Sequence, residues 1–555
     1  MKQQYLDIME LALSAYTQER IQDYIREVQQ NGLTEHGFPR LGVCIGILIA
    51  NGRRTDLLDA FVQIMDICCA EIPQHKAQSD FSLREIGCCL LLLEKQPIVC
   101  EDQLRKWKRQ LSAFDPWTLY DAVASSPETP TGNWALFAAV SEYVRGVLCR
   151  VDTSRFVDWQ LSSQLLVLDE NGMYQDDPPA NPMVYDVMPR LLFAFLLAFE
   201  YNGRHTARIE AALDSTAELT LKMQSVTGEI PFGGRSNQFL HNESMLAAYC
   251  ELEAVRYARR GDRQTAGAFK AAAALSADRL MAYLQLKPIR HVKNRYAIHT
   301  RIGCEDYGCF NKYMITVASN IYMGYLFADD RLLPTTAPAQ TGGYIIRTGK
   351  AFHKTFLNAG GYFLELDTHA DFHYDANGLG RIHKSGCSPF ICLSVPFPAA
   401  PKYTLENANP GPMSLCCYAK LGDRLLYGAD EQATYTLLDS RETPACVSAT
   451  FACALDAAAV ITQQYTVSEQ GVRISLRGGD AVGFMLPVFD FDGTAPTRVT
   501  QSEGSIAVEY DGCICRYRFH GTTPETYQYY YNRNGRYRVY RVASRELHIT
   551  IERIA

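Results

Sequence analysis

The sequence contains no long hydrophobic run and no dense cluster of basic residues. Its longest apolar stretch, near Leu191 to Glu200, is too short to cross a bilayer. The first residues, Met1 to Asp7, lack the basic and apolar regions of a signal peptide. A net charge of -7 without a Lys/Arg block gives no indication of a nucleic-acid groove. We therefore expect a cytoplasmic protein with neither a nucleic-acid nor a membrane partner.

Cysteine spacings typical of zinc sites are also missing. The chain has 18 Cys but no CxxC pair. The adjacent pairs Cys68-Cys69, Cys88-Cys89 and Cys416-Cys417 lie inside apolar patterns. This placement indicates small buried side chains in a reducing compartment rather than a disulfide framework.

The first part of the chain, residues 1–332, has helical periodicity. At 555 residues the chain is too long for one core, so we expect at least two domains. The predicted helices are 3–30, 40–52, 54–72, 82–95, 101–113, 133–149, 153–168, 184–202, 206–224, 240–260, 264–286 and 308–328. Six consecutive helical hairpins predict an (α/α)6 toroid in which outer and inner helices alternate. The alternative, an irregular α-solenoid, usually shows a sequence repeat, and none is visible.

The period changes to two after the segment 333–341, which we interpret as a linker. Tyr344 to Arg347, Val472 to Leu476 and Tyr537 to Val542 alternate or are rich in β-formers, and Asn534-Gly535 is a hairpin signal. We therefore predict that residues 342–555 form an antiparallel β-sandwich. The fold class is thus α+β, with a catalytic toroid followed by a sandwich that contributes to the cleft.

Polar turns precede the predicted inner helices, and in a toroid of hairpins these turns lie on one face. The richest is Gly233 to Glu243, which combines a glycine pair, a cation, amides, a histidine and a carboxylate. Aromatic rings and amides suit sugars, and helix N-termini favour anions. Any single turn is explained as well by helix capping, so the functional interpretation depends on the joint pattern.

Candidate residues follow from these turns. The candidate acids, bases and proton donors are His241, Glu243, Glu305, Asp306 and Tyr307. The candidate substrate-binding residues are Trp134, Tyr185, Asp186, Arg235, Asn237, Asn242, Asn311 and Tyr313. Arg235 would bind a substrate carboxylate, or alternatively pair with Glu243 or Asp186.

A second cluster lies in the sandwich and contains His369, Asp371, His373, Tyr374 and Arg381. Within it, His373 is a candidate catalytic residue, and Tyr374 and Arg381 are candidate substrate-binding residues. If a strand ran through Asp371, then His369, Asp371 and His373 would share one face, since side chains alternate. That face would hold a structural divalent metal such as zinc, or else place a histidine in the cleft. We predict no other cofactor.

The chain resembles carbohydrate-active enzymes built from a toroid and a sandwich, namely the heparinase II/III-like polysaccharide lyases and the toroidal β-glucuronidases. The residues that carry the resemblance are Gly233 to Ser236, Asn242-Glu243, Asn133-Trp134 and Tyr374 to His383. In the lyases, a tyrosine and an asparagine or histidine act from the toroid and a histidine acts from the sandwich. The resemblance implies these roles for Tyr307 or Tyr313, His241, Asn242, and His369 or His373. The lyase sandwich pattern, close to His-x-His-x-Asp, is replaced here by His-x-Asp-x-His.

Three functions follow as hypotheses. The preferred one is an exo-acting glycoside hydrolase, like the β-glucuronidases, that acts on oligosaccharides containing uronic acid. Such a hydrolase needs two carboxyl groups, and the candidates are Glu243 with Glu305, Asp306 or Asp186. The alternative is a lyase that removes the C5 proton and protonates the leaving oxygen. The third is a non-catalytic glycan-binding protein. The enzyme would bind an oligosaccharide and, as a further expectation, would form a homo-oligomer through its flat faces.

Overall fold

The computed structural model describes residues 1–74, 78–479 and 481–554, and helices fill its first part. The helices are α1 (Lys2–Leu13), α2 (Gln18–Asn31), α3 (Gly37–Ala50), α4 (Leu58–Glu71), α5 (Ser79–Lys95), α6 (Glu101–Ser112), α7 (Pro116–Leu119), α8 (Trp134–Cys149), α9 (Ser154–Gln164), α10 (Met183–Ala198), α11 (Thr206–Met223), α12 (His241–Arg259), α13 (Arg263–Gln285), α14 (Phe310–Phe327) and α15 (Pro338–Thr341). Short turns separate some of the helices, as the sequence pattern predicts, but longer segments precede α8, α10, α12 and α14.

Six helices form a closed inner ring. In ring order, α3 packs on α5, α5 on α8, α8 on α10, α10 on α12, α12 on α14, and α14 returns to α3. The outer layer consists of α1, α4, α6, α9, α11 and α13, each packed on one or more inner helices. This alternation confirms the predicted (α/α)6 toroid.

The two rings differ in burial as their sequences require. Residues Gly37–Ile49 of α3 are all buried, because an inner helix has neighbours on every side. The outer helix α6 buries only Trp107 and Leu111 and exposes its charged face. Among the described residues, no helix has both the length and the apolarity needed to cross a membrane.

The first predicted helix, 3–30, is wrong in its continuity, because it is two helices. The side chain of Thr17 is the reason: its Oγ1 accepts a hydrogen bond from the Arg20 N–H at 3.2 Å and starts α2 afresh. The resulting bend lets α1 pack against α13 and α14 while α2 packs against α4.

Antiparallel strands follow the helices. They are β1 (Tyr344–Arg347), β2 (Lys354–Ala359), β3 (Tyr362–Asp367), β4 (Gly378–Lys384), β5 (Cys416–Leu421), β6 (Arg424–Tyr427), β7 (Thr434–Glu442), β8 (Cys446–Asp456), β9 (Ala459–Ser468), β10 (Gly471–Arg477), β11 (Val482–Phe491), β12 (Arg498–Ser502), β13 (Ser505–Tyr510), β14 (Cys513–Phe519), β15 (Glu525–Tyr531), β16 (Arg536–Val542) and β17 (Glu546–Arg553).

The strands form a two-layer sandwich, as predicted. One layer is a sheet in the order β12-β13-β14-β17-β10-β9-β8-β7. The other layer combines the sheet β1-β2-β3-β4 with the sheet β15-β16-β11-β5-β6, and the Leu379–Leu415 bridge links the two. Both smaller sheets pack on the large one.

The sheet β1-β2-β3-β4 lies against the toroid. Every residue of β2 and β3 is buried, whereas β8 alternates between buried and partly exposed residues. A sheet covered on both faces loses the alternation that one solvated face produces. This sheet therefore brings sandwich side chains to the mouth of the ring.

Candidate active site

The first turns of all six inner helices line one cavity of about 360 Å³. It is the size of a pocket for one or two sugar rings rather than a long polymer groove. Its lining residues are His36, Arg40, Gln78, Phe81, Asn133, Trp134, Phe137, Val184, Tyr185, Met188, Arg235, His241, Met245, Tyr307, Lys312, Tyr313 and Thr316.

Charge in this cavity has one sign. Arg40, Arg235 and Lys312 line it, and its described lining residues include no Asp or Glu. Arg40 and Arg235 are already paired: Arg40 Nε is 3.0 Å from Glu85 Oε1 behind the wall, and Arg235 pairs with Asp176. The ammonium of Lys312 has no ion-pair partner among the described residues, so it is the cation most available to an anionic ligand.

His241 begins α12, and its ring lies in the cavity wall. It stacks on Phe239 with ring centroids 5.5 Å apart, and Tyr313 flanks it at 5.6 Å. Its Nδ1 is buried without a partner among the described residues. Burial, reinforced by Arg40 and Lys293, lowers the pKa of His241 to about 3, so the free imidazole is neutral at neutral pH.

His36 is the second neutral histidine of the wall. Arg40 Nη1 donates to His36 Nδ1 at 2.6 Å, which leaves the imidazole proton on Nε2. Burial, with Arg40 next in importance, holds the pKa of His36 well below its usual value. The Phe81 ring, 4.9 Å from His36, continues the apolar wall toward Trp134.

Three hydroxyl groups meet at the turn before α12. Ser236 Oγ lies 2.7 Å from Tyr307 Oη and 3.0 Å from Tyr185 Oη. Burial raises the pKa of both tyrosines, so both are protonated at neutral pH. Tyr307 keeps 39% of its surface exposed and can therefore reach a ligand.

The backbone of this turn is anchored by charged side chains. Gly234 donates its N–H to Asp375 at 2.8 Å and accepts from Arg533 Nη2 at 2.9 Å; both partners belong to the sandwich. The φ of Gly234 is 74°, and a Cβ there would lie 2.8 Å from Pro182 Cβ. Glycine is required at this position for both reasons.

Arg235 lies in the cavity, but neither of the ion pairs expected for it, with Glu243 or Asp186, forms. It pairs with Asp176 and, at 3.6 Å, with Asp177, and its guanidinium lies 4.4 Å from the Tyr185 ring centroid. Asp176 also accepts a hydrogen bond from the Asn133 side chain. Through Asp176, the segments before α8, α10 and α12 are therefore linked.

The carboxyl groups expected to serve a hydrolase lie outside the cavity lining. Glu243 is fully buried and accepts from Lys293 at 2.9 Å, and Asp186 is locked to Arg190. Glu305 lies behind Ser236, whose N–H it accepts at 2.7 Å. Asp306 is exposed beside it, with its backbone carbonyl bound by Arg301. These positions do not supply two carboxyl groups that flank a bound sugar.

The three asparagines expected to bind substrate are also occupied elsewhere. Asn237 donates to the Pro231 carbonyl at 3.0 Å, and Asn242 donates to the carbonyls of Ser236 and Asn237, both at 2.9 Å. Asn311 pairs with Arg20 on the outer side of α14. Asn237 and Asn242 therefore stabilise the turn before α12 through these hydrogen bonds.

No strand runs through Asp371, so the condition for a shared face of His369, Asp371 and His373 is not met. β3 ends at Asp367 and β4 begins at Gly378, and a turn closed by the 2.8 Å bond from Tyr374 N–H to the Asp371 carbonyl separates them. His373 is half exposed and bonded to Asp371, while His369 lies against His353. In the described parts of the chain, no group of three or more His, Cys, Asp or Glu could hold a metal ion.

Two other sandwich candidates have different positions. The Tyr374 ring stacks with Tyr403, and Arg533 lies over both rings, but none of the three lines the cavity. Arg381 is buried and donates to the Ile230 carbonyl at 2.7 Å, which joins the domains instead of contacting a ligand.

Candidate residues that sequence reasoning did not select include Lys312, Arg40, His36 and Ser236. A signal was present, because Glu35 to Arg40 precedes an inner helix and Lys312 lies between two candidates, Asn311 and Tyr313. Composition of a turn does not reveal which of its side chains point inward.

No protein-family profile and no curated protein matches the chain. Among solved structures, a heparan sulfate lyase mutant from Pedobacter heparinus matches with a TM-score of 0.43 at 10% identity, over 94% of this chain and 77% of the other. Heparinase III matches at 0.36 and 11%, over 87% and 77%. A baculovirus envelope chondroitin lyase matches at 0.45 and 9%, over 93% and 76%.

Proposed function

We propose that the protein is a lyase that cleaves uronic-acid-containing oligosaccharides by β-elimination. The observation that supports this most is the composition of the cavity: cations, neutral histidines and protonated tyrosines, with no Asp or Glu among the described lining residues. A glycoside hydrolase needs two carboxyl groups beside the bond that breaks. A β-elimination needs none from the protein.

The cations would act on the substrate carboxylate. Removal of the C5 proton of a uronate places negative charge next to an existing carboxylate, so that charge must be neutralised first. Lys312 would hold the carboxylate, because its ammonium has no ion-pair partner among the described residues, and Arg40 and Arg235 line the same cavity.

Two side chains would move the protons. His241 would take the C5 proton, because its ring lines the cavity and the imidazole is neutral at neutral pH. A bound carboxylate raises the pKa of a nearby imidazole and makes His241 a stronger base than in the empty cavity. Tyr307 would give its proton to the C4 oxygen as the C4–O bond breaks and the C4=C5 double bond forms.

An ultraviolet and reducing-end assay on a panel of uronic-acid oligosaccharides tests the proposal. Elimination creates a conjugated C4–C5 double bond, so we expect absorbance to rise together with new reducing ends. We expect Tyr307→Phe to lower kcat by about 100-fold or more, the usual contribution of a general acid, with an unchanged melting temperature.

The control is Tyr529→Phe, which removes a hydroxyl from an exposed strand of the sandwich, far from the cavity lining. It should have wild-type activity. New reducing ends without absorbance would establish hydrolysis instead, and binding without either product would establish a glycan-binding protein.

A further inference from the structure

The hydroxyl group of Ser236 lies between two tyrosine hydroxyl groups. The direction of its hydrogen bonds decides which tyrosine keeps a free proton. A serine hydroxyl donates one hydrogen bond and accepts up to two. Ser236 Oγ has two tyrosine neighbours, Tyr307 at 2.7 Å and Tyr185 at 3.0 Å. Neither tyrosine hydroxyl has another protein partner among the described residues.

Only one arrangement of these protons leaves a donor for a ligand on the more exposed ring. Tyr185 donates to Ser236, Ser236 donates to Tyr307 Oη, and the Tyr307 proton is then free to point into the cavity. In the reverse arrangement Tyr307 donates to Ser236 and Ser236 donates to Tyr185. The free donor is then on Tyr185, whose exposed fraction is smaller.

The backbone of Ser236 is held in an unfavourable conformation. Its φ is 62°, in the left-handed region that residues with a side chain rarely adopt. Three contacts maintain it: the Ser236 N–H donates to Glu305 at 2.7 Å, Glu305 pairs with Arg533 at 3.3 Å, and Asn242 donates to the Ser236 carbonyl. Strain maintained by buried charged groups is typical of a functional position.

We infer that Ser236 is a positioning residue that directs the Tyr307 proton toward the leaving oxygen and supports the tyrosinate as that proton departs. The inference rests on the proposed function. In this step the Tyr307 O–H and substrate C4–O bonds break and an O–H bond forms on the leaving sugar. The Ser236 O–H stays intact and donates to the tyrosinate. The proton that His241 takes from C5 goes to solvent, and solvent returns one to Tyr307.

The test compares two leaving groups on the same uronate: the natural sugar, which must be protonated, and fluoride, which leaves without a proton. Variants Ser236→Ala and Ser236→Gly both remove the hydroxyl, and glycine also tolerates the positive φ. We expect kcat for the sugar to fall about 100-fold in both variants, while fluoride release, followed with an ion-selective electrode, stays near wild type.

Ser163→Ala is the matched control, because it removes a buried hydroxyl that donates to the Thr129 carbonyl away from the cavity; both of its rates should equal wild type. Equal losses on the two substrates in the Ser236 variants, or no loss on either, would overturn the inference alone. A wild-type protein that forms no unsaturated product from either substrate would overturn the proposed function and this inference with it.

Discussion

At the scale of single residues, burial decides the chemistry available in the cavity. His241 and Tyr307 would both be ordinary titrating groups on a surface. In the wall of the toroid, desolvation lowers the pKa of the imidazole and raises that of the phenol. A neutral imidazole and a protonated phenol thus coexist in one pocket at neutral pH.

The lowered pKa of His241 also predicts how stability depends on pH. The pKa is 6.5 in the unfolded chain and about 3 in the folded one. The unfolded chain therefore binds this proton first, and the stability contribution is complete above pH 6.5 and is lost as the pH falls toward 3. Between pH 7 and pH 5 the loss from this residue is about 2 kcal/mol.

Urea unfolding of wild type and His241→Gln at pH 7 and pH 5 measures this contribution. We expect the wild type to lose about 2 kcal/mol more than the variant on acidification. His36 and His383, which also have lowered pKa values, are common to both proteins and cancel in the comparison. Identical losses in the two proteins would show that His241 titrates normally.

At the scale of elements, the beginnings of the inner helices act as a group. Each begins beside polar residues and continues into a buried apolar segment, and ring closure brings these starts to one cavity. Lys312 is in the first turn of α14, where its ammonium adds to the positive potential of the helix N-terminus. The helix start and the lysine together favour an anionic group.

Lys312→Met should therefore weaken binding of an acidic substrate. We expect KM to rise about 10-fold or more, since a charge-assisted hydrogen bond is lost, while kcat changes less. Lys312→Arg keeps the charge and should retain most of the affinity. Steady-state kinetics measure KM and kcat of each variant on the uronate, and calorimetry measures binding of the uronate's methyl ester. The neutral ester should bind both variants alike, so a loss confined to the uronate identifies the charge interaction. A KM unaffected by Lys312→Met would place the carboxylate on Arg40 or Arg235 instead.

At the scale of the whole molecule, a buried charge network joins the toroid to the sandwich. Arg381 of β4 bonds to the Ile230 carbonyl of the toroid and pairs with Glu365 at 3.3 Å. Glu365 in turn accepts the Phe232 N–H and lies 3.6 Å from Lys354. Such a network fixes the orientation of the sandwich at the turn that carries Ser236.

Breaking this network should destabilise both domains together. Arg381→Met leaves Glu365 without its closest cation, so we expect a loss of about 3–5 kcal/mol in the free energy of unfolding. Denaturant unfolding followed by helical and strand signals should show one transition in the wild type.

The comparison is Arg498→Met, which removes an exposed pair with Glu509 at 3.1 Å; its cost should stay below about 1 kcal/mol. Similar costs for Arg381→Met and Arg498→Met would mean that the interdomain pair contributes no more than a surface pair.

The sequence by itself determined the architecture and the face that carries the cavity. Helical and strand periodicities are local, so twelve helical segments and the later strands are visible without tertiary contacts, and alternate hairpins place inner-helix starts on one face. His241, Tyr307 and Trp134 were found in this way.

Only the tertiary structure decided which side chains of each turn face inward. His241 and Glu243 lie two residues apart on α12, about 200° around the helix axis. Therefore the histidine reaches the cavity while the carboxylate turns to Lys293, a partner that is 50 residues away. Lys312 likewise lines the cavity while its neighbour Asn311 does not, and Arg235 forms an ion pair with Asp176. The partners that direct these side chains come from distant segments, so no local pattern specifies them.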